Sequence, residues 1–154
     1  MRVYFLRHGI AEERAESDHA RRLTAGGVTR MRTTARIMAS LGMGIGAVYT
    51  SPRVRCQQTA DIVASALGVP CITRDELNFG FDVDGLQAVR HDNAHGHPLL
   101  VGHEPTFSTV IGELTGADIL MKKGGLARVD LTRDDPPTGV LVWLIAPKVF
   151  TALS

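Results

Sequence analysis

The sequence predicts an α/β fold, a three-layer αβα sandwich around a mostly parallel central sheet, with no large cap insertion. Short apolar runs alternate with longer amphipathic stretches, which is the rhythm of βα units. The first run, residues 3–6, is apolar throughout, as a central strand covered on both faces must be. At about 100–200 residues per domain, the 154 residues read as one unit spanning 1–154.

Each element has its own signal. Residues 3–6 form the first strand, and residues 9–22, with Glu12, Glu13, Glu16 and Asp18, read as an exposed loop. Thr24 is placed to cap a helix running to about residue 41. Val28, Met31, Ala35 and Met38 recur along it at three- and four-residue steps, and Gly42 ends it. A second strand covers 47–50. The helix after it covers 54–67, with Thr59, Val63 and Ala66 on one face and Gly68 at its end. Residues 98–102 form a buried strand and 105–114 the next helix. The final strands, 126–131 and 140–145, are joined through Asp134-Asp135-Pro136-Pro137, a turn sequence. Residues 75–97 carry no readable period.

Composition excludes several classes. Hydrophobic residues at 44% and charged residues at 21% belong to a folded globular chain rather than a disordered one. Seventeen Lys plus Arg against sixteen Asp plus Glu leave a net charge of +1, too little to favour a nucleic-acid partner. The 14 Arg against 3 Lys are a skew that genomic base composition accounts for. No run of 18 apolar residues implies a membrane span, and the run before Arg7 is too short for a signal peptide. Cys56 and Cys71 make no disulfide framework and point to a reducing cytoplasm.

Three segments occupy equivalent places. Arg7-His8-Gly9 follows the first strand, Ser51-Pro52-Arg53-Val54-Arg55 the second, and Gly102-His103-Glu104-Pro105 the 98–102 strand. Loops at the carboxyl ends of parallel strands line one crevice. Arg7, His8, Arg55 and His103 are therefore expected to converge there. Two arginines and two histidines beside helix N-termini make a pocket for a tetrahedral anion.

On these residues the sequence resembles the histidine phosphatase superfamily, also called phosphoglycerate mutase-like. Within it the likeness is to the SixA-type phosphohistidine phosphatases. Asp18-x-x-Arg21, Leu23-Thr24-x-x-Gly27, Ser51-Pro52-x-x-Arg55-x-x-Gln58-Thr59 and Gly102-His103-x-Pro105 appear in order along nearly the whole chain. The resemblance implies that His8 is the nucleophile and passes through a phosphohistidine intermediate. That attack needs a neutral ring, fixed by a backbone carbonyl at its other nitrogen and kept unprotonated by neighbouring cations. Arg7 and Arg55 would hold the phosphoryl oxygens with forks that Lys lacks, His103 would donate to them, and Arg21 would add a substrate contact. With cations around the phosphate, the reaction needs no metal and no cofactor. Larger relatives carry an acidic residue after the second motif; here Glu76 is the nearest candidate for the general acid, with Asp82 and Asp84 behind it. Only 48 positions separate Arg55 from His103, too few for the helical cap of larger relatives.

The implied function is dephosphorylation of phosphohistidine in a signalling or phosphotransfer protein. Two alternatives remain: a small phosphate ester cleaved by the same mechanism, and a phosphate-binding module without catalysis. Other chemistries fit poorly. Asp82 and Asp84 lack the buried strand that an Asp-x-Asp phosphatase needs before them. His91, His95 and His97 read as a solvated loop rather than zinc ligands. The six-residue step from cysteine to arginine of the cysteine phosphatases meets Ile62 from Cys56 and Leu77 from Cys71. No lysine stands in a nucleotide-binding P-loop. Arg53 and Arg22 read as surface charges, Asp18 as a partner that positions Arg21, and residues 121–125 as an exposed turn.

Overall fold

The computed structural model describes residues 1–154. In chain order the elements are β1 (Arg2–Arg7), α1 (Ala25–Ser40), β2 (Ile45–Thr50), α2 (Val54–Leu67), β3 (Cys71–Thr73), a 3-10 turn (Asp75–Leu77) and α3 (Val83–Asp92). They continue with β4 (His97–Gly102), α4 (Thr106–Thr115), β5 (Leu126–Asp134), β6 (Pro137–Ile145) and α5 (Pro147–Ala152). One six-stranded sheet runs in the order β3-β2-β4-β1-β5-β6. The first four strands of that order are mutually parallel, and β5 and β6 extend it as an antiparallel hairpin.

The apolar run of β1 is explained by helices on both faces. Val3 and Phe5 pack with Leu86 and Val89 of α3 and Phe107, Val110 and Ile111 of α4. Tyr4 and Leu6, pointing the other way along the pleat, pack with Met31 and Met38 of α1, Val63 of α2 and Phe150 of α5. Thr24 caps α1 by accepting from Gly27 N at 2.9 Å, as expected from its position. A Cβ at Gly27 would run into the Ile10 carbonyl, so only glycine lets α1 start this close to the loop after β1. α2 ends on Gly68 in the left-handed conformation at φ 68°.

The loop expected around His91, His95 and His97 is corrected: Asp82 caps α3 by accepting from Gly85 N at 2.9 Å, His91 lies on that helix, and His97 opens β4. Only Leu86 and Val89 of α3 are buried, too few to print a helical period on the sequence. β3 is three exposed residues, and α5 is a single short helix, so neither carries an apolar pattern. No helix is long and apolar enough to cross a membrane.

Candidate active site

Strand register brings the three motifs together. Arg7 pairs with Gly102 and Thr50 with Val101, so β1, β2 and β4 end at one edge of the sheet. The ladder continues one residue beyond each strand, with His8 N donating to Gly102 O and Ser51 N to Val101 O, both at 3.1 Å. His8, Ser51 and His103 are thereby neighbours. The His8 and His103 ring centroids lie 5.5 Å apart.

The protonation of His8 follows from its partners. Nδ1 lies 2.7 Å from Gly9 O, which can only accept, so Nδ1 carries the proton. Arg55 Nε, which can only donate, lies 3.3 Å from His8 Nε2, so that nitrogen presents its lone pair. The ring is neutral. Burial, aided by the charges of Arg55, Arg7 and Lys123, brings its pKa down to about 4. The carbonyl expected to fix the tautomer is thus present.

Arg55 enters from the first turn of α2 and is buried. Its NH1 donates to Asp18 O at 2.9 Å and its NH2 to Asp18 Oδ2 at 3.1 Å. Thr59 and Gln58, one turn along, hold the surrounding loops: Gly9 N donates to Thr59 Oγ1 at 3.1 Å and Leu23 N to Gln58 Oε1 at 2.7 Å. The Gln-Thr pair of the second motif therefore acts on backbone, keeping the loop after β1 against α2.

His103 is buried, and its Nε2 meets Ser51 Oγ at 2.8 Å, with Cys56 Sγ at 3.6 Å. Burial, then the neighbouring His8 and Arg55, lowers its pKa to about 3. The Cys56 thiol is pushed up to about 12 by burial, which keeps it protonated beside the ring. Arg7 donates from NH1 to Met121 O at 2.9 Å, while its buried Nε has no hydrogen-bond partner. Gly124 N in turn donates to Arg7 O at 3.1 Å and His8 O at 3.0 Å. Residues 121–125 are therefore part of the wall behind Arg7 and His8. Lys122 and Lys123 are exposed on a turn, as expected, but Met121, Gly124 and Gly125 are buried, and the backbone role of Met121 explains why no side-chain signal marked it.

Asp18 gathers three arginines: Arg21 at 3.0 Å, Arg53 at 2.6 Å and Arg55 at 3.1 Å. Arg21 is the expected partner, also donating from Nε to Glu12 O at 2.7 Å, and it reaches the pocket only through Asp18. Arg53 is not the surface charge its position implied. It also donates from Nε to Asn78 Oδ1 at 2.8 Å and stacks over Phe79, its guanidinium carbon 3.9 Å from the ring centroid. Phe79 and Asn78 were missed by sequence reasoning altogether.

Glu76 is the expectation that the geometry corrects. Arg74 NH2 and Nε donate to its two carboxylate oxygens at 2.7 and 3.1 Å, and those bonds hold its pKa below the usual carboxylate range. A general acid needs the opposite shift. Asp82 is occupied as the cap of α3. His91, His95 and His97 do not cluster: no three His, Cys, Asp or Glu side chains gather in an arrangement able to hold a metal ion.

Comparison with known proteins bears on the family and the fold. The family model described as histidine phosphatase superfamily (branch 1) matches residues 3–85, just over half of the chain. Over 68 residues the chain is 44% identical to an uncharacterized protein of Picosynechococcus sp., a match covering 43% of this chain and 41% of that protein. It is 28% identical to the phosphohistidine phosphatase SixA of Escherichia coli over 153 residues, 96% of this chain and 94% of SixA. Its fold is similar to that of the protein histidine phosphatase SixA complexed with tungstate, at a TM-score of 0.85 and 27% identity. That match covers 97% of this chain and 99% of the other.

Proposed function

Because the chain belongs to the histidine phosphatase superfamily and is a phosphatase of that type, we propose that it removes phosphate from phosphohistidine in a protein, through a phosphorylated His8 and without a metal. In this reading His8 Nε2 attacks phosphorus. The bond between phosphorus and the substrate's imidazole breaks, and that ring, protonated from solvent at its other nitrogen, leaves as neutral imidazole with the electron pair on the departing nitrogen. A second water then attacks phosphorus on His8, releasing inorganic phosphate and the free ring.

One observation carries the reading. The only unprotonated nitrogen of His8, Nε2, faces Arg55, while Arg7 presents a buried, unpartnered Nε beside the same strand end. A tetrahedral anion would satisfy both guanidinium groups and lie against the nucleophile. The similar SixA structure is described as a complex with tungstate, an anion of that shape. His103 would donate to a phosphoryl oxygen as charge builds, and Arg21 would supply an outer cation. Cys56 and Cys71 are both free, in keeping with a reducing cytoplasm.

The engagement of Glu76 by Arg74 bears on the substrate. An alkoxide is a poor leaving group without an acid, whereas imidazole, whose conjugate acid has a pKa of about 6.5, leaves readily. The pocket with its acid candidate tied up thus favours P–N over P–O cleavage. The test incubates the protein with a labelled phosphohistidine protein and with an aryl phosphate, each in the presence of a chelator. Rapid release from the first and slow release from the second supports the reading. The reverse order favours a small-ester phosphatase, and a requirement for added metal removes the metal-independent step.

A further inference from the structure

Phe79 has surroundings that mark it as part of the site. Asn78 Oδ1 accepts from both Phe79 N and Arg53 Nε, each at 2.8 Å, which fixes the short turn carrying the ring. The ring centroid lies 3.9 Å from the guanidinium carbon of Arg53, 5.8 Å from that of Arg55 and 4.7 Å from the centroid of His103. Phe79 thus touches groups of the anion pocket on its inner side, yet the residue is 53% exposed. Leu77, two residues earlier, is fully buried, so this segment does face the core where it can. An aromatic side chain held at the mouth of a charged pocket, with much of its surface left in water, is unburied apolar area beside the place where a substrate must enter.

We propose that Phe79 is a specificity-determining residue whose exposed surface carries the planar ring of the leaving group while the pocket holds the phosphoryl. The inference rests on the proposed phosphatase reading and narrows it to substrates whose phosphoryl sits on a flat π system, the imidazole of phosphohistidine among them. Ring pairs gain from offset or edge-on contact at centroid separations of 4.5–7 Å, a gain that an aliphatic leaving group does not share. Arg53, stacked on Phe79 and tied to Asp18 and Asn78, holds the platform at a set angle to the pocket. Phe79 therefore selects by shape and polarisability, and the guanidinium groups by charge.

Phenylphosphonate and methylphosphonate separate these two contributions, because they share the tetrahedral anion, differ in the ring and are not hydrolysed. Calorimetric titration of the wild type should show a preference for the phenyl compound. Phe79→Ala should reduce that preference roughly three- to tenfold, and Phe79→Trp should retain it. The same preference in wild type and Phe79→Ala overturns the proposal. A wild type that binds neither phosphonate overturns it together with the anion pocket. If the wild type shows the expected preference but never dephosphorylates a phosphohistidine protein, the proposed function fails while the platform stands.

Discussion

Arg55 donates from Nε to Nε2 of His8 at 3.3 Å, so its charge adds to burial, the larger effect, in keeping a proton off that nitrogen. In the proposed mechanism an incoming phosphoryl group has to be held by that guanidinium without losing access to the ring. Arg55→Ala should therefore lower kcat/KM by about 100- to 1000-fold, the usual loss of one preorganised donor. Arg55→Lys should recover little, since an ammonium has no planar fork. His8→Ala should leave no labelled phosphoenzyme at all. Steady-state kinetics and rapid-quench labelling check all three.

The two buried histidines fix a pH dependence whose sign is determined. Their folded pKa values, about 4 for His8 and about 3 for His103, lie below the ordinary 6.5. As pH falls below 6.5 the unfolded chain takes up protons first. The stability they contribute is thus complete above pH 6.5 and declines toward pH 4 for His8 and pH 3 for His103, with each histidine removing up to about 1.4 kcal/mol per pH unit. Urea midpoints measured between pH 4.5 and 7.5 should fall on the acid side, and His8→Asn should flatten the slope. If His8 is the nucleophile, the acid limb of kcat/KM should lie near pH 4 rather than 6.5.

Asp18 joins Arg21, Arg53 and Arg55 through one carboxylate. Its removal leaves those cations for a phosphate to bind but no longer fixes their angles. Asp18→Ala should lower kcat by roughly tenfold without raising KM, the signature of lost orientation rather than lost affinity. A rise in KM at constant kcat would contradict this account.

Glu76 faces Arg74 from a partly exposed position, where a single ion pair is worth about 0–1 kcal/mol. Glu76→Gln should leave hydrolysis of both phosphohistidine and aryl phosphate at wild-type rates and shift the thermal midpoint only slightly. A drop of tenfold or more on the aryl ester alone would restore Glu76 as the acid.

Arg7, His8, Arg55 and His103 were legible because each follows a strand whose apolar run is plain, and parallel register does the rest. Thr24 was legible as a cap because a hydroxyl before a periodic run is a local signal. Arg53, Asn78 and Phe79 were not. They meet across a three-residue exposed strand and a 3-10 turn, where neither period exists, and their contacts span 25 positions or more in chain distance from Arg53. Met121 acts through its carbonyl, a group every residue possesses, so no composition marks it. Glu76 was placed by analogy with larger relatives, and Arg74, two residues away, decides its state instead.

The pairing of Arg7 with Gly102, extended by His8 N to Gly102 O, sets His8 against His103 through rigid ladder bonds and not through any connecting loop. Insertions between Asn78 and His97 would then remodel the entrance while Nε2 of His8, the proposed attacking nitrogen, stayed where it is. A scaffold of this kind can change clientele by lengthening one peripheral crossover, with its reactive core passed on untouched.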